Sequence, residues 1–209
     1  MVYIHEHVSA GREQAIAALG AEVRRVPGNY DDSVRRAAED AAINGWHVVS
    51  DTSWPGYAET PRDVMAGYGV MAREAAMQLG EQAPPTHVFL QAGVGAFAAA
   101  AAAWFRHAYG RHAPRVVVCE PDKAACVFDS IRAGRLIEIK GALDTAMAGL
   151  AAGEVSMIAW DVLARGAYAA MTAPDASAFD MMRRLAAPPD GEPVIEAGES
   201  AVAGLAAFL

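Results

Sequence analysis

The sequence predicts an α/β protein built on parallel, doubly wound sheets. Three observations lead there. Between residues 2 and 51, short apolar runs alternate with helix-like stretches in a βαβαβ order. Further on, the apolar run "HVFLQ" passes through Gly-Val-Gly directly into a block of alanines. And 209 residues at 54% hydrophobic content are enough to bury a sizeable core.

Taken in order, residues 2 to 5 read as a strand, and Gly11 to Leu19 as a helix that Gly20 can end. "AEVRRV" is the next strand. The acidic residues of "PGNYDD" suit a helix N-terminus, so Ser33 to Asn44 reads as a second amphipathic helix stopped by Gly45. "WHVVSD" then closes the unit as a third strand. "TSWPGYAETP" breaks the alternation with two prolines and a glycine, which places a domain border near residue 58 and divides the chain into 1–58 and 59–209.

Beyond that border the sequence predicts a helix over about 62 to 80, the strand "HVFLQ", the alanine-rich helix, the strand "RVVVCEP" and a helix from Lys123 to Arg132. A weaker strand "LIEIK", helices near 145–151, 157–168 and 176–186, and a last strand "PVIEA" complete the reading. The chain opens on a strand already under way at "VYI" and closes on the helix-like "AVAGLAAFL", so we expect it to be part of a larger fold.

Composition narrows the function classes. A net charge of −8 from 25 acidic and 17 basic residues, with no block of one sign, argues against nucleic acid or an anionic membrane as partner. The longest apolar run, Ala96 to Phe105, is too short to span a bilayer. Two cysteines, Cys119 and Cys126, form neither a disulfide framework nor a zinc pattern, and a reducing cytoplasm fits them. His5 and His7 could share one face of a strand as metal ligands, but no third ligand stands at usable spacing, so they read as exposed edge residues.

Gly93 and Gly95 stand where a buried strand ends and a helix begins, the place where open α/β sheets bind ligands. Exposed N–H groups at such a step, with no side chain in the way, make an anion site. A plain tight turn also explains a lone GxG, and no third glycine or Gly-Lys-Ser makes this a dinucleotide fingerprint or a P-loop. Asp51, at the end of "WHVVSD", is by itself a turn or helix cap.

"SDTSWPGYAETPRDVMAGYGVMAREAA", "THVFLQAGVGA", "VVVCEPDKAACVFDSI", "TAMAGLAAGE" and "EAGESAVAGL" occur in the order and spacing of the diaminopropionate ammonia-lyases. The chain resembles that family, pyridoxal-phosphate enzymes of the tryptophan-synthase β-like fold (fold type II), over nearly its whole length. "DTSWPGY", "EPDKA" and "AGLxxGE" together separate it from threonine and serine dehydratase relatives, which stay an alternative.

The resemblance implies pyridoxal 5'-phosphate as cofactor, held through the N–H groups of Gly93, Val94, Gly95 and Ala96. It implies Asp51 as the carboxylate that moves the substrate α-proton, with 1–58 belonging to the small domain and 59–209 to the large cofactor-binding one. Near the pyridine nitrogen it implies the "AGES" turn. Relatives often carry serine or threonine where Ala197 stands, which leaves Glu199 and Ser200 as candidates. Glu120 reads as a loop-ordering acid and Lys123 as a solvated residue at a helix start. Homodimerisation is the family expectation.

The sequence also departs from the family. Its chemistry needs a lysine in Schiff-base linkage with the cofactor, and Lys123 and Lys140, the two lysines present, match no part of the family's lysine motif. The Asx-Gly-Asn-His loop is missing too, so the match covers roughly the second half of such an enzyme. Ala152 replaces a family cysteine, which rules out a bridge to Cys126. The implied reaction is α,β-elimination of 2,3-diaminopropionate to pyruvate and ammonia, with this chain alone inactive. A non-catalytic α/β fragment, or a phosphate-binding or interaction module, is the rival.

Overall fold

The computed structural model describes residues 1–80 and 84–209. Two parallel sheets organise the chain. The first joins β1 (Val2–His5) and β2 (Val23–Val26), with Val2 opposite Val23 and His5 opposite Val26. The crossover between them is α1 (Ala10–Ala17), whose N-cap Ser9 accepts the Arg12 N–H. Next, α2 (Tyr30–Asn44) begins three residues earlier than its apolar pattern predicts. Asn29 and Asp32 form a capping box there, each side chain accepting the other's backbone N–H. Gly45 ends the helix in the left-handed conformation, φ 67°.

The second sheet runs β3 (His87–Gln91), β4 (Arg115–Pro121), β5 (Ala167–Ala173), all parallel. One face is covered by α4 (Ala96–Tyr109), which packs between α3 (Glu59–Leu79) and α6 (Met157–Gly166). Leu90, Val116 and Val118 join Ala98, Ala99, Ala101, Ala102, Phe105, Val127 and Leu163 in a single cluster there. Burying a valine or leucine contributes roughly 1.5–3 kcal/mol. The alanines contribute less each and act by letting backbones approach.

The other face carries α7 (Asp175–Ala186) and α8 (Ala203–Phe208) around Met147, Leu150, Met181 and Val202. Gly204 of α8 sits so close to β3 that a Cβ there would lie 2.6 Å from the Phe89 carbonyl oxygen. Helices on both faces of a parallel sheet make the doubly wound arrangement that the sequence predicts. The helix α5 (Cys126–Ala133) follows β4, and buried Glu120 caps it by accepting the N–H groups of Val127 at 2.9 Å and Phe128 at 2.6 Å. Burial pushes the Glu120 carboxyl up to about 8 against those two donors.

Several expected elements are corrected. "WHVVSD" is not a strand: Tyr57 ties it, its hydroxyl donating to the Val48 carbonyl and accepting the Ser50 N–H. "LIEIK" is irregular because its N–H groups go to the Ser130 hydroxyl and the Gly153 carbonyl rather than to a ladder. "PVIEA" likewise forms no strand, and Ile195 bonds back to Leu185. The region near 145–151 holds a 3-10 turn at Ala148–Leu150 in place of a helix. The helix expected to run to residue 168 stops at Gly166, where β5 starts.

Candidate active site

A cavity of about 450 Å³ opens at the C-terminal end of β3. Its floor is the loop Gly93–Val94–Gly95 and the first turn of α4. The loop is bare for packing reasons as well as for access. A Cβ on Gly93 would come within 3.2 Å of the Leu150 Cα, and one on Gly95, at φ 87°, within 3.1 Å of a Leu163 methyl. The N–H groups of Gly93, Val94, Gly95 and Ala96 donate to no acceptor of the chain among the described residues, and Gly95 offers α4 no side-chain cap. Four free donors converge with the positive end of a 14-residue helix.

The opposite wall holds Tyr30, Asp51 and Tyr68. Asp51 is the charged residue among the described lining groups, and the Tyr68 hydroxyl donates to its Oδ2 at 3.0 Å. Burial and the Asp51 carboxylate together push the Tyr68 phenol up to about 12. The Tyr30 phenol is raised too, chiefly by burial and then by Asp51. The cavity therefore carries a carboxylate beside two phenols that stay protonated at neutral pH. Val94, Ala96, Leu150, Ala151 and Ala152 make the remaining walls apolar.

Asp51 and the Gly93–Ala96 loop thus face one space, although a different chain segment supplies each. Of the two candidates in "AGES", Ser200 lines the cavity and its hydroxyl accepts the Gly149 N–H at 3.0 Å. Glu199 does not: its carboxylate turns to the Arg12 guanidinium and lines a neighbouring cavity with His5 and His7. No group of three or more potential metal ligands gathers among the described residues. Lys123, paired with Asp175, and Lys140, beside Glu138, are largely exposed and lie outside this lining.

The two cysteines are buried and free. Cys126 underlies the glycine loop, its Sγ 3.4 Å from the Gly93 carbonyl oxygen, and burial raises its thiol pKa. Sequence reasoning missed Tyr30 and Tyr68. Tyr30 sits inside the acidic "NYDD" that announces a helix start. Tyr68 sits between Gly67 and Gly69, an expensive pair inside a helix that could have singled it out. No helix among the described residues is long and apolar enough to cross a membrane.

The whole chain, residues 1–209, matches the family described as "Pyridoxal-phosphate dependent enzyme". The diaminopropionate ammonia-lyase of Escherichia coli K12 is 38% identical over 206 residues, 98% of this chain and 52% of that protein. That of Salmonella typhimurium is 38% identical over 210 residues. Among solved structures, Escherichia coli diaminopropionate ammonia lyase in complex with an aminoacrylate-PLP azomethine reaction intermediate superposes with a TM-score of 0.91 at 38% identity, covering 99% of this chain and 53% of that one. Threonine deaminase isoform 2 of Solanum lycopersicum shares the fold, with a TM-score of 0.76 at 21% identity over 99% of this chain and 56% of that one. The chain spans about half the length of the curated relatives it matches.

Proposed function

This chain belongs to the pyridoxal-phosphate-dependent enzyme family, and from that premise we propose that it carries the phosphate cradle and the α-proton base of a diaminopropionate ammonia-lyase. The observation that carries the reading is the single cavity shared by four free N–H groups, Gly93 to Ala96, and the Asp51 carboxylate. The overall reaction takes 2,3-diaminopropionate and water to pyruvate and two molecules of ammonia.

The residues fit the cofactor: the glycine loop is bare where a phosphate needs backbone donors, and the volume is that of a small-ligand site. The Gly93–Ala96 N–H groups would hold the phosphate. Ser200, rather than Glu199, is the group we assign to the ring nitrogen. When bound, pyridoxal phosphate supplies the electron sink for the charge left at the α-carbon. Asp51 accepts the α-proton, using an oxygen that Tyr68 does not occupy. The apolar walls of Val94, Ala96 and Ala152 offer these polar contacts no competing partner. The β-amino group leaves as the first ammonia, and hydrolysis of the released product gives the second.

The same proposal takes residues 1–58 as small-domain and 59–209 as large-domain sequence, and places a homodimer in the cytoplasm, where two buried free thiols suit a reducing compartment. One observation favours a second reading for these 209 residues by themselves. Both lysines lie outside the cavity lining and are largely exposed, which suits a phosphate-binding module without turnover.

Incubating the purified chain with pyridoxal phosphate, reducing with borohydride and mapping peptides tests both readings. We expect a perturbed ³¹P resonance for the bound cofactor, no stoichiometric label on Lys123 or Lys140, and no pyruvate from 2,3-diaminopropionate. An unperturbed phosphate resonance sinks the cradle. Stoichiometric labelling with pyruvate release puts the chemistry at one of those lysines instead.

A further inference from the structure

We propose that Tyr68 is a positioning residue: its phenol O–H holds the Asp51 carboxylate at a fixed place relative to the glycine loop. The inference rests on Asp51 acting as the α-proton base. Asp51 lies in a bend preceded by irregular chain, so no sheet ladder fixes its backbone. Its side chain receives one donor among the described residues, the Tyr68 hydroxyl at 3.0 Å. That bond occupies Oδ2 and leaves Oδ1 without a donor.

Tyr68 is itself set by the floor of the cavity. Its ring stands edge-on to Phe97 in the first turn of α4, with centroids 5.9 Å apart and planes at 85°. It also packs against the cluster of Val94, Ala96 and Ala152. One aromatic ring therefore touches both the carboxylate and the loop that receives the phosphate. The phenol keeps its proton up to about pH 12, so Tyr68 remains a donor to Asp51 over any working pH. Carboxylate and phosphate site are thereby held at one spacing, and a misplacement of about 1 Å is enough to cost a proton transfer heavily.

The test uses the purified chain with Tyr68→Phe, which keeps the ring, Asp51→Asn, and the double variant, each checked for an unchanged melting profile. The absorbance difference between Tyr68-containing and Tyr68→Phe proteins isolates the Tyr68 titration, and its midpoint should fall on the Asp51→Asn background. An unmoved midpoint overturns the pairing. Calorimetry then compares pyridoxal phosphate with its reduced adduct, N-(5'-phosphopyridoxyl)-2,3-diaminopropionate. Tyr68→Phe should leave the first affinity within about twofold and weaken the second about tenfold, because a carboxylate no longer held in place must be ordered as the adduct binds. The double variant should be no weaker than Asp51→Asn. Equal loss for both ligands, or none for either, overturns the positioning role. If the unaltered chain binds neither ligand, the cofactor site fails and the positioning role with it, while the phenol titration still reports separately on the pair.

Discussion

The hydroxyls of Ser53 and Ser156 lie 2.8 Å apart, and through them the segment that carries Asp51 is fastened to the glycine loop. Ser156 is fully buried. Its N–H donates to the Val94 carbonyl at 2.9 Å, and its hydroxyl accepts the Ser53 N–H at 3.1 Å. Ser53 in turn accepts the Ile158 N–H on its hydroxyl and the Met157 N–H on its carbonyl, so the start of α6 is capped by a residue two positions after Asp51.

Ser156→Ala strands the buried Ser53 N–H and removes a partner from its hydroxyl, which should cost about 1–3 kcal/mol. Urea denaturation measures this. Combining it with Ser53→Ala should cost clearly less than the sum of the two single changes, because both remove the same bond. Strict additivity would show that the pair contributes nothing.

Gly95→Ala forces a Cβ into the left-handed region and to 3.1 Å from Leu163. We expect a loss of about 1–2 kcal/mol in stability from the backbone alone. Pyridoxal phosphate affinity should fall at least about tenfold as the loop shifts to relieve the contact. Gly191→Ala is the control, since it shares a positive φ but meets nothing within 4 Å and lies outside the cavity lining. Equal effects on binding from both variants would remove the loop from the site.

Asp31, buried at the start of α2, accepts the Gly153 N–H at 2.8 Å. Burial pushes its carboxyl up to about 6, with the Glu154 charge adding and the Gly153 N–H opposing. A folded-state pKa above the ordinary carboxylate value favours the protonated form in the fold. The contribution is full below about pH 4 and is lost as pH rises through about 6. The stability of the unaltered chain relative to Asp31→Asn should therefore decline from pH 4.5 to pH 7.5. Paired denaturation curves at the two pH values check it, and a constant difference refutes it.

Much of this architecture can be read from residue order, and the misses have a common cause. β4 carries "RVVVCEP", β-branched and apolar on both faces, and its bounds follow from composition alone. β5, "AYAAMTA", has helix-favouring alanines, and it is a strand because Val117 to Pro121 of β4 offer it a parallel edge. "WHVVSD" fails in the opposite sense: its composition suits a strand, but a tyrosine hydroxyl takes up its backbone groups. At the site, Gly93 and Gly95 announce themselves by their place between a strand and a helix, while Asp51, in irregular chain, is marked by the family-like "SDTSWPGY" around it rather than by local pattern. Tyr68 carries the local mark of its flanking glycines and nothing more, because its meeting with Asp51 depends on how the irregular segment before α3 folds back along that helix, and local spacing carries no trace of that contact.

The alanines of α4 give the cavity floor a mechanical character. An alanine has no rotamers, so ordering Ala98 to Ala102 in the core costs no side-chain entropy. For the same reason these positions of α4 hold nothing that can swing aside to absorb a disturbance, and the movable side chains that meet the loop, Leu163 and Val127, lie beside Gly95. A layer packed backbone against backbone moves as one stiff body or stays put. Whatever seats against Gly93 to Ala96 meets an anvil on the α4 side, and with Asp51 held by Tyr68 across the cavity the fit to a ligand's shape is set before the ligand arrives.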